Sequence, residues 1–341
     1  MLTILEQVSL ESYNSLALPA VAEFFCAVQD SAALLAALEF ARSKDIEVTP
    51  LGGGSNIVLA GDIAGLVLSI ELEGVTHRVL DQVVEVTFAA GENWHDQVQR
   101  CLQQGWYGLE NLSLIPGNMG AAAIQNIGAY GVELADLFVS LKAIDKLSGE
   151  ILELDKTACE FGYRDSLFKH AGRDRYIIVD ITLALSTVPN INIQYPALQA
   201  AVDAHSASAR EITPELVGAM VCQIRASKLP DPKTIPNAGS FFKNPIVPQL
   251  QVLKLSREYP KMPGYAQSNG DSKVPAGWLI EQCGLKGAVR GPVGVHQQQA
   301  LVLVNSGGGS GAQLLALAEE VRAAVSQRFG IDLEIEPRVY G

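Results

Sequence analysis

The residues from Leu114 to Gly131 read LIPGNMGAAAIQNIGAYG. A stretch this rich in glycine and alanine has too little side-chain volume to fill a core from a helix face. It also lacks the alternation of a strand. Small side chains do permit the backbone to approach something flat or charged closely. A second segment of this character, Gly52-Gly53-Gly54-Ser55-Asn56, follows a strand expected over 46–51. Consecutive glycine amides beside Ser55 and Asn56 make a nest of the kind that holds phosphate oxygens. The segment is neither the G-K-[ST] loop nor the spaced dinucleotide fingerprint. Alone it reads first as a plain β-turn. Paired with Leu114–Gly131 in one domain, it suits a long ligand that carries a pyrophosphate.

The surrounding pattern is mixed α+β. Helices are expected over 31–44, with Asp30 or Ser31 as N-cap, and over 94–104, stopped by Gly105. Strands are expected over 66–70, 83–89, 141–145, 151–154 and 177–185. Thr213-Pro214-Glu215 opens a helix that runs to about 227. The prolines of KLPDPK (228–233) then break it, and a domain boundary is expected there. Beyond it come a short strand at 239–242, helices at 248–258 and 275–282, and a strand at 300–305. A helix from about 313 to 329 carries a Ser310/Gln313 capping box and stops at Gly330, and a strand over 332–339 closes the chain. For 341 residues, two domains is the natural expectation.

The formal charge of −12 disfavours nucleic acid or an anionic membrane surface as a general partner. Five cysteines, odd in number and far apart, suggest no disulfide framework, and the five histidines show no metal-ligand spacing. No metal is expected. Residues 1–15 lack a basic start followed by an apolar core, and no run of 18 apolar residues exists, so neither a signal peptide nor a membrane helix is expected. A cytoplasmic protein with reduced thiols fits these features.

Several residues could carry chemistry. Ser240, in NAGSFFKNP, is either a hydroxyl that caps nearby backbone or a proton donor. Arg164, in FGYRDS, is either a surface partner of Asp165 or a planar fork for a carboxylate. In LEIEPRV, Glu334 and Glu336 share one strand face, which reads first as solvated. Lys228, Lys233, Lys243 and Lys286, with Arg225 and Arg290, could gather into a local basic site.

Taken together, GGGSN, AGENWH, IPGNMGAAAIQNIGAYGVEL, FGYRDSLFKH, KLPDPK, NAGSFFKNP, AGWLIEQCG, HQQQALVLVN and LEIEPRV resemble the UDP-N-acetylenolpyruvoylglucosamine reductase (MurB) family. The blocks occur in order over nearly the whole chain. Tyr195 in INIQYPAL, with FGYRDS and YAQSNG, is similar to the form that keeps a substrate-closing Tyr loop. The resemblance implies an α+β protein with the two-subdomain FAD-binding fold of the vanillyl-alcohol oxidase type plus a separate α+β substrate domain. It implies an FAD-binding domain over 1–226, with subdomains of about 1–62 and 63–226. A substrate-binding domain would follow over 227–330, and a C-terminal strand over 331–341 would return to the FAD domain.

The implied reaction is FAD-dependent reduction of UDP-N-acetylglucosamine enolpyruvate by NADPH, giving UDP-N-acetylmuramate for peptidoglycan. By position, Arg164 would stabilise the aci-carboxylate, and Glu336 would sit beside the carboxylate, its proton retained by the neighbouring anion. Ser240 would protonate the carbon. Gly53, Gly54, Ser55 and Asn56 would grip the FAD pyrophosphate. Ile115, Pro116, Gly117, Ile124, Asn126, Gly128 and Tyr130 would line the non-covalent cofactor, with Arg225 and Arg338 as flavin neighbours. Tyr195, Lys228, Asn244 and Gln299 would hold the UDP-sugar, Tyr265 would close over it, and Lys286 would contact phosphate. A monomer is expected. Ala123 stands where the family often has proline, which frees one torsion in the flavin loop. Competing readings are a flavin oxidase of the same fold and a non-catalytic nucleotide-binding regulator.

Overall fold

The computed structural model describes residues 2–206, 211–267 and 269–341; Ser268, inside YAQSNG, lies outside them. The chain forms two compact units. The first holds the residues up to Val8, Ala22–Gly54 and Ile63–Ser227; the second holds Ser9–Val21, Ser55–Asp62 and Lys228–Gly341. The blocks expected from the sequence are 1–226, 227–330 and 331–341; each compact unit is built from several separate chain segments. The C-terminal strand Arg338–Tyr340 pairs in parallel with Ile57–Leu59, and both belong to the second unit. Prolines mark where a helix stops, but nothing local in a sequence shows which distant segment will pair with a terminal strand.

The first unit contains a sheet in the order Leu5–Ser9, Val21–Val28, Ile63–Ile70, Val48–Leu51. The strand Ile63–Ile70 is parallel to both Val21–Val28 and Val48–Leu51, and buried along nearly its whole length. Such a strand is covered on both faces and shows no alternation. The helix Ser31–Lys44 buries Leu34, Ala37, Leu38 and Ala41 at three- and four-residue spacing. Asp30 caps it, accepting a hydrogen bond from the Ala33 amide at 2.7 Å.

A second sheet, wholly antiparallel, runs Ile151–Asp155, Phe138–Asp145, Tyr176–Ser186, Val83–Ala89, Val75–Leu80. Along Tyr176–Ser186 the residues Ile181, Leu183 and Leu185 are buried while their neighbours are half-buried, the period of a one-faced strand. The helix Trp94–Gln103 begins at the Asn93 cap, and the Trp94 indole donates to the Leu112 carbonyl at 2.9 Å. One continuous core runs through this part from Cys26 to Leu185. A smaller one, Leu198, Val202, Val217, Met220 and Val221, joins the helices Pro196–Ser206 and Pro214–Lys228.

The second unit has a four-stranded sheet in the order Asn237–Ser240, Val302–Asn305, Val293–Val295, Val289–Arg290. The helix Gly311–Phe329 carries an apolar stripe of Leu314, Leu317, Ala318, Val321, Val325 and Phe329. Ser310 and Gln313 form the expected capping box, and Gly330 ends the helix in the left-handed region. A small sheet of Ile246–Val247, Ser272–Lys273 and Tyr265–Ala266 lies beyond. The strand expected over 332–339 is shorter. Only Arg338–Tyr340 joins a sheet, and Ile335 makes an isolated bridge to Phe242. Pro337, which has no amide to donate, separates the two. Among the described residues, no helix is long and apolar enough to cross a membrane.

Candidate active site

In the first unit the two small-residue segments lie against each other. A Cβ built on Gly53 would come within 2.7 Å of Asn118 Oδ1 and 3.1 Å of Gly117 Cα, and one on Gly52 would meet Ala121 Cβ at 3.5 Å. Gly52 and Gly53 are therefore neighbours of the stretch from Gly117 to Ala121. That stretch is anchored in its own right. The Gly117 carbonyl accepts from the Trp94 amide at 3.0 Å, and the Met119 amide donates to Glu92 O at 2.9 Å. Ala123, at φ −74, already has the torsion that proline would impose, and it is fully buried. Gly53→Val should displace both segments. The expected result is a folded protein that purifies without flavin colour, checked by its visible spectrum beside its melting temperature.

Asn126 has its amide committed within the protein. Its Oδ1 accepts from the Ala135 amide at 2.9 Å, and its Nδ2 donates to Glu133 Oε2 at 2.8 Å and to Gly162 O at 3.0 Å. The side chain ties the turn to the segment that carries Arg164. Ser166 adds a second tie, its hydroxyl donating to Ile124 O at 2.6 Å. Arg164, itself in the left-handed region at φ 52, donates from Nη2 to Gly128 O at 2.5 Å and from Nη1 to Asn126 O at 3.4 Å. The Asp165 carboxylate meets His170 Nε2 at 2.7 Å.

Arg225, on the helix Pro214–Lys228, donates from Nε to Leu114 O at 3.2 Å. Burial holds its pKa below the ordinary guanidinium value; Tyr130 opposes this shift and Arg164 adds to it. An arginine stays charged under such a shift. Two cations thus act on one region beside Tyr130, whose hydroxyl is pushed up, chiefly by burial. The Tyr130 and Tyr195 rings meet edge to face at 5.1 Å. Asn111 Nδ2 donates at 2.8 Å to both Tyr130 O and Asn192 O, so one buried amide links the two tyrosine-bearing segments.

In the second unit, Ser240 owes its placement to a bulge. Asn237 pairs with Val304 and Ser240 with Val302, so one extra residue sits on the Ser240 side. Gly239, at φ 69, absorbs it, and its amide donates to Asn237 Oδ1 at 2.8 Å. Bulges re-aim side chains at functional edges. Phe241 and Phe242 are both fully buried and anchor the chain just past the hydroxyl. The Glu336 amide donates to Phe241 O and the Lys243 amide to Glu334 O, each at 2.9 Å. Backbone pairing therefore places Glu336 opposite the residue after Ser240. Arg338 continues this segment; its amide donates to Asn56 O at 3.0 Å, and its guanidinium lies 4.4 Å from the Tyr340 ring centroid. Ser55 and Asn56 form the turn before Ile57–Leu59.

Asn244 and Gln299 both serve the helix Ala276–Gln282. Asn244 Oδ1 accepts from the Ala276 amide at 2.9 Å, and a Cβ on Gly277 would come within 3.2 Å of Gln299 Oε1. Tyr265 is exposed on the small sheet, and Lys228 is exposed at its helix end. Three of the six residues of the basic site suggested by the sequence are paired with acids. Lys243 pairs with Glu334, Lys286 with Glu281 at 2.9 Å, and Arg290 with Glu320. A count of basic residues cannot reveal their acidic neighbours, two of which, Glu334 and Glu320, come from distant segments. His95, Asn111, Glu133 and Ser166 escaped the sequence reading. Their signal was polarity inside the small-residue and apolar stretches, and three of them lie within AGENWH, GAYGVEL and FGYRDS.

The glycine contact at Gly53, the anchored turn at Gly117 and the cations Arg164 and Arg225 form a donor-rich, low-volume surface that fits a flat anionic cofactor. An FAD binding domain model matches residues 22–155, and one for the C-terminal domain of UDP-N-acetylenolpyruvoylglucosamine reductase matches residues 231–340. Fold and match together define a flavoprotein with an FAD binding domain and a second, C-terminal reductase domain. The reductase of that name from Pseudomonas aeruginosa is 45% identical over 344 residues, covering 99% of each chain. That from Ralstonia nicotianae is 48% identical over 334 residues, covering 96% of each. The Thermus caldophilus reductase structure superposes with a TM-score of 0.68 over 100% of both chains at 22% identity, a likeness of fold. The chain belongs to the UDP-N-acetylenolpyruvoylglucosamine reductase family.

Proposed function

We propose that Ser240, Glu336 and Arg164 carry the family reaction in this chain, the FAD-dependent reduction of UDP-N-acetylglucosamine enolpyruvate to UDP-N-acetylmuramate for peptidoglycan. The observation that supports the residue roles is the backbone pairing of Phe241 with Glu336, which sets a hydroxyl and a carboxyl on neighbouring segments. FAD, when bound, would supply the two-electron chemistry that links NADPH to reduction of the enolpyruvyl group at its terminal methylene carbon. Charge then builds on the adjacent carbon and spreads into the carboxylate. Arg164 offsets that charge, its fork held by two backbone carbonyls. Glu336, protonated, donates to the carboxylate. Ser240 gives its proton to the carbon and is reprotonated from solvent. Serine is a weak acid, but the base it meets is strong and its position is fixed.

Gly53, Gly54, Ser55, Asn56, Ile115, Pro116, Gly117, Ile124, Gly128, Tyr130, Arg225 and Arg338 hold the cofactor. Asn126 would support it indirectly, through its bonds to Glu133 and to Gly162 on the segment bearing Arg164. Tyr195, Lys228, Asn244 and Gln299 hold the UDP-sugar, Tyr265 closes over it, and Lys286 contacts phosphate on leaving Glu281. The reading takes NADPH as reductant, the cytoplasm as compartment and a monomer as the working form.

The test is anaerobic. NADPH should bleach the yellow protein, and the enolpyruvyl sugar nucleotide should then restore the colour. Colour restored only by oxygen, with peroxide formed, would overturn the reading in favour of an oxidase. A colourless protein unaffected by FAD would point to a regulator.

A further inference from the structure

The helix Trp94–Gln103 carries His95 on its first turn, and His95 Nδ1 accepts a hydrogen bond from the Leu114 amide at 2.9 Å. Leu114 is a non-glycine residue in the left-handed region, at φ 59, where a side chain is uncommon and needs support. Its carbonyl is also used, accepting from Arg225 Nε at 3.2 Å. The Leu114 peptide groups are thus held from two sides, by an imidazole on one helix and a guanidinium on another. Immediately after it comes the Ile115-Pro116-Gly117 turn that packs on Gly53. The acceptor is available only in the imidazole with its proton on Nε2.

We infer that His95 is a positioning residue for the cofactor loop: neutral, with its proton on Nε2, it holds Leu114 in its left-handed conformation and so fixes both the Ile115–Gly117 turn and the Arg225 guanidinium. The inference rests on the assignment of that turn to FAD. The charges acting on His95 are Asp96 on its own helix and Arg225 on the helix Pro214–Lys228. Burial is the main cause that lowers its pKa, with Asp96 opposing and Arg225 assisting. Protonation would remove the acceptor and put a second cation beside Arg225. The turn should therefore be fixed at neutral pH and loosen as pH falls below the ordinary imidazole range of about 6.5.

Two substitutions separate the acceptor from the titration. In His95→Asn, Oδ1 takes the place of Nδ1 and accepts at any pH. In His95→Leu, a methyl takes that place. FAD release is followed by flavin fluorescence on dilution of the holoenzyme between pH 7.5 and 5.0. The wild type should hold FAD tightly at pH 7.5 and lose about tenfold in Kd on acidification, the upper end of what one lost intramolecular hydrogen bond contributes. His95→Asn should match the wild type at pH 7.5 and lack that added acid sensitivity. His95→Leu should be weak throughout. Wild-type affinity in His95→Leu, or an unaltered acid loss in His95→Asn, overturns the inference. Should His95→Leu fail to fold, long-range 15N–1H spectra of the wild type decide instead, and a proton on Nδ1 at pH 7.5 refutes it. Gly117→Val tests the underlying assignment separately: normal FAD affinity in that folded variant would mean the turn does not hold the cofactor.

Discussion

Ser240→Ala should leave flavin reduction by NADPH at its normal rate and slow reoxidation by the enolpyruvyl substrate by about 10²–10⁴-fold, the range typical of a lost general acid. Local structure makes this substitution clean. The strand pairing, the bulge at Gly239 and the buried Phe241–Phe242 pair all involve backbone or other side chains. Alanine removes the hydroxyl and leaves these contacts in place, so the melting temperature should barely move. The two half-reactions can be followed separately by stopped-flow absorbance. Only the second calls for a proton at carbon, which is why the defect should be confined to it. Reoxidation at the wild-type rate would remove Ser240 from the mechanism.

Much of the local structure was legible because local signals carry it. The Asp30 cap, the Ser310/Gln313 box and the strand Val83–Ala89 depend on residues adjacent in sequence, and each formed. What was hidden depends on partners far away. Glu336 looked solvated from its spacing, yet its amide bonds to Phe241 across a pairing that no local pattern announces. Lys243 and Arg290 looked like part of a basic cluster until Glu334 and Glu320 arrived from elsewhere. Asn126 could be picked out as belonging to the loop, but its full set of internal hydrogen bonds could not. His95 was visible as part of AGENWH, whereas its acceptor role depends on Leu114, nineteen positions on. Sequence thus exposes which residue types are present for the chemistry. The geometry that makes them donors, acceptors or struts comes from the long-range pairing.

Arg164→Met should lower turnover of the substrate half-reaction by about 10²–10³-fold, the loss seen when one preorganised donor to developing charge is removed. Arg164→Lys should recover only part of it. The reason lies in how the fork is held. Nη2 bonds to Gly128 O and Nη1 to Asn126 O, and the residue's left-handed backbone is buttressed by Asn126 through Gly162. These bonds fix the guanidinium plane before substrate arrives. A lysine ammonium keeps the charge, but it is a flexible point charge that cannot engage both carbonyls with the same planar geometry. The defect should therefore appear mainly in kcat, because charge on the substrate carbon grows toward the transition state, with a smaller change in KM from the carboxylate already present in the ground state. Flavin content measured in the same preparations separates this from cofactor loss, since Gly128 and Asn126 also lie in the loop proposed to hold the cofactor. If Arg164→Lys turned over like the wild type with full flavin, a charge alone would suffice and the fork would be irrelevant. If Arg164→Met did so, the carbanion would have to be stabilised by another group.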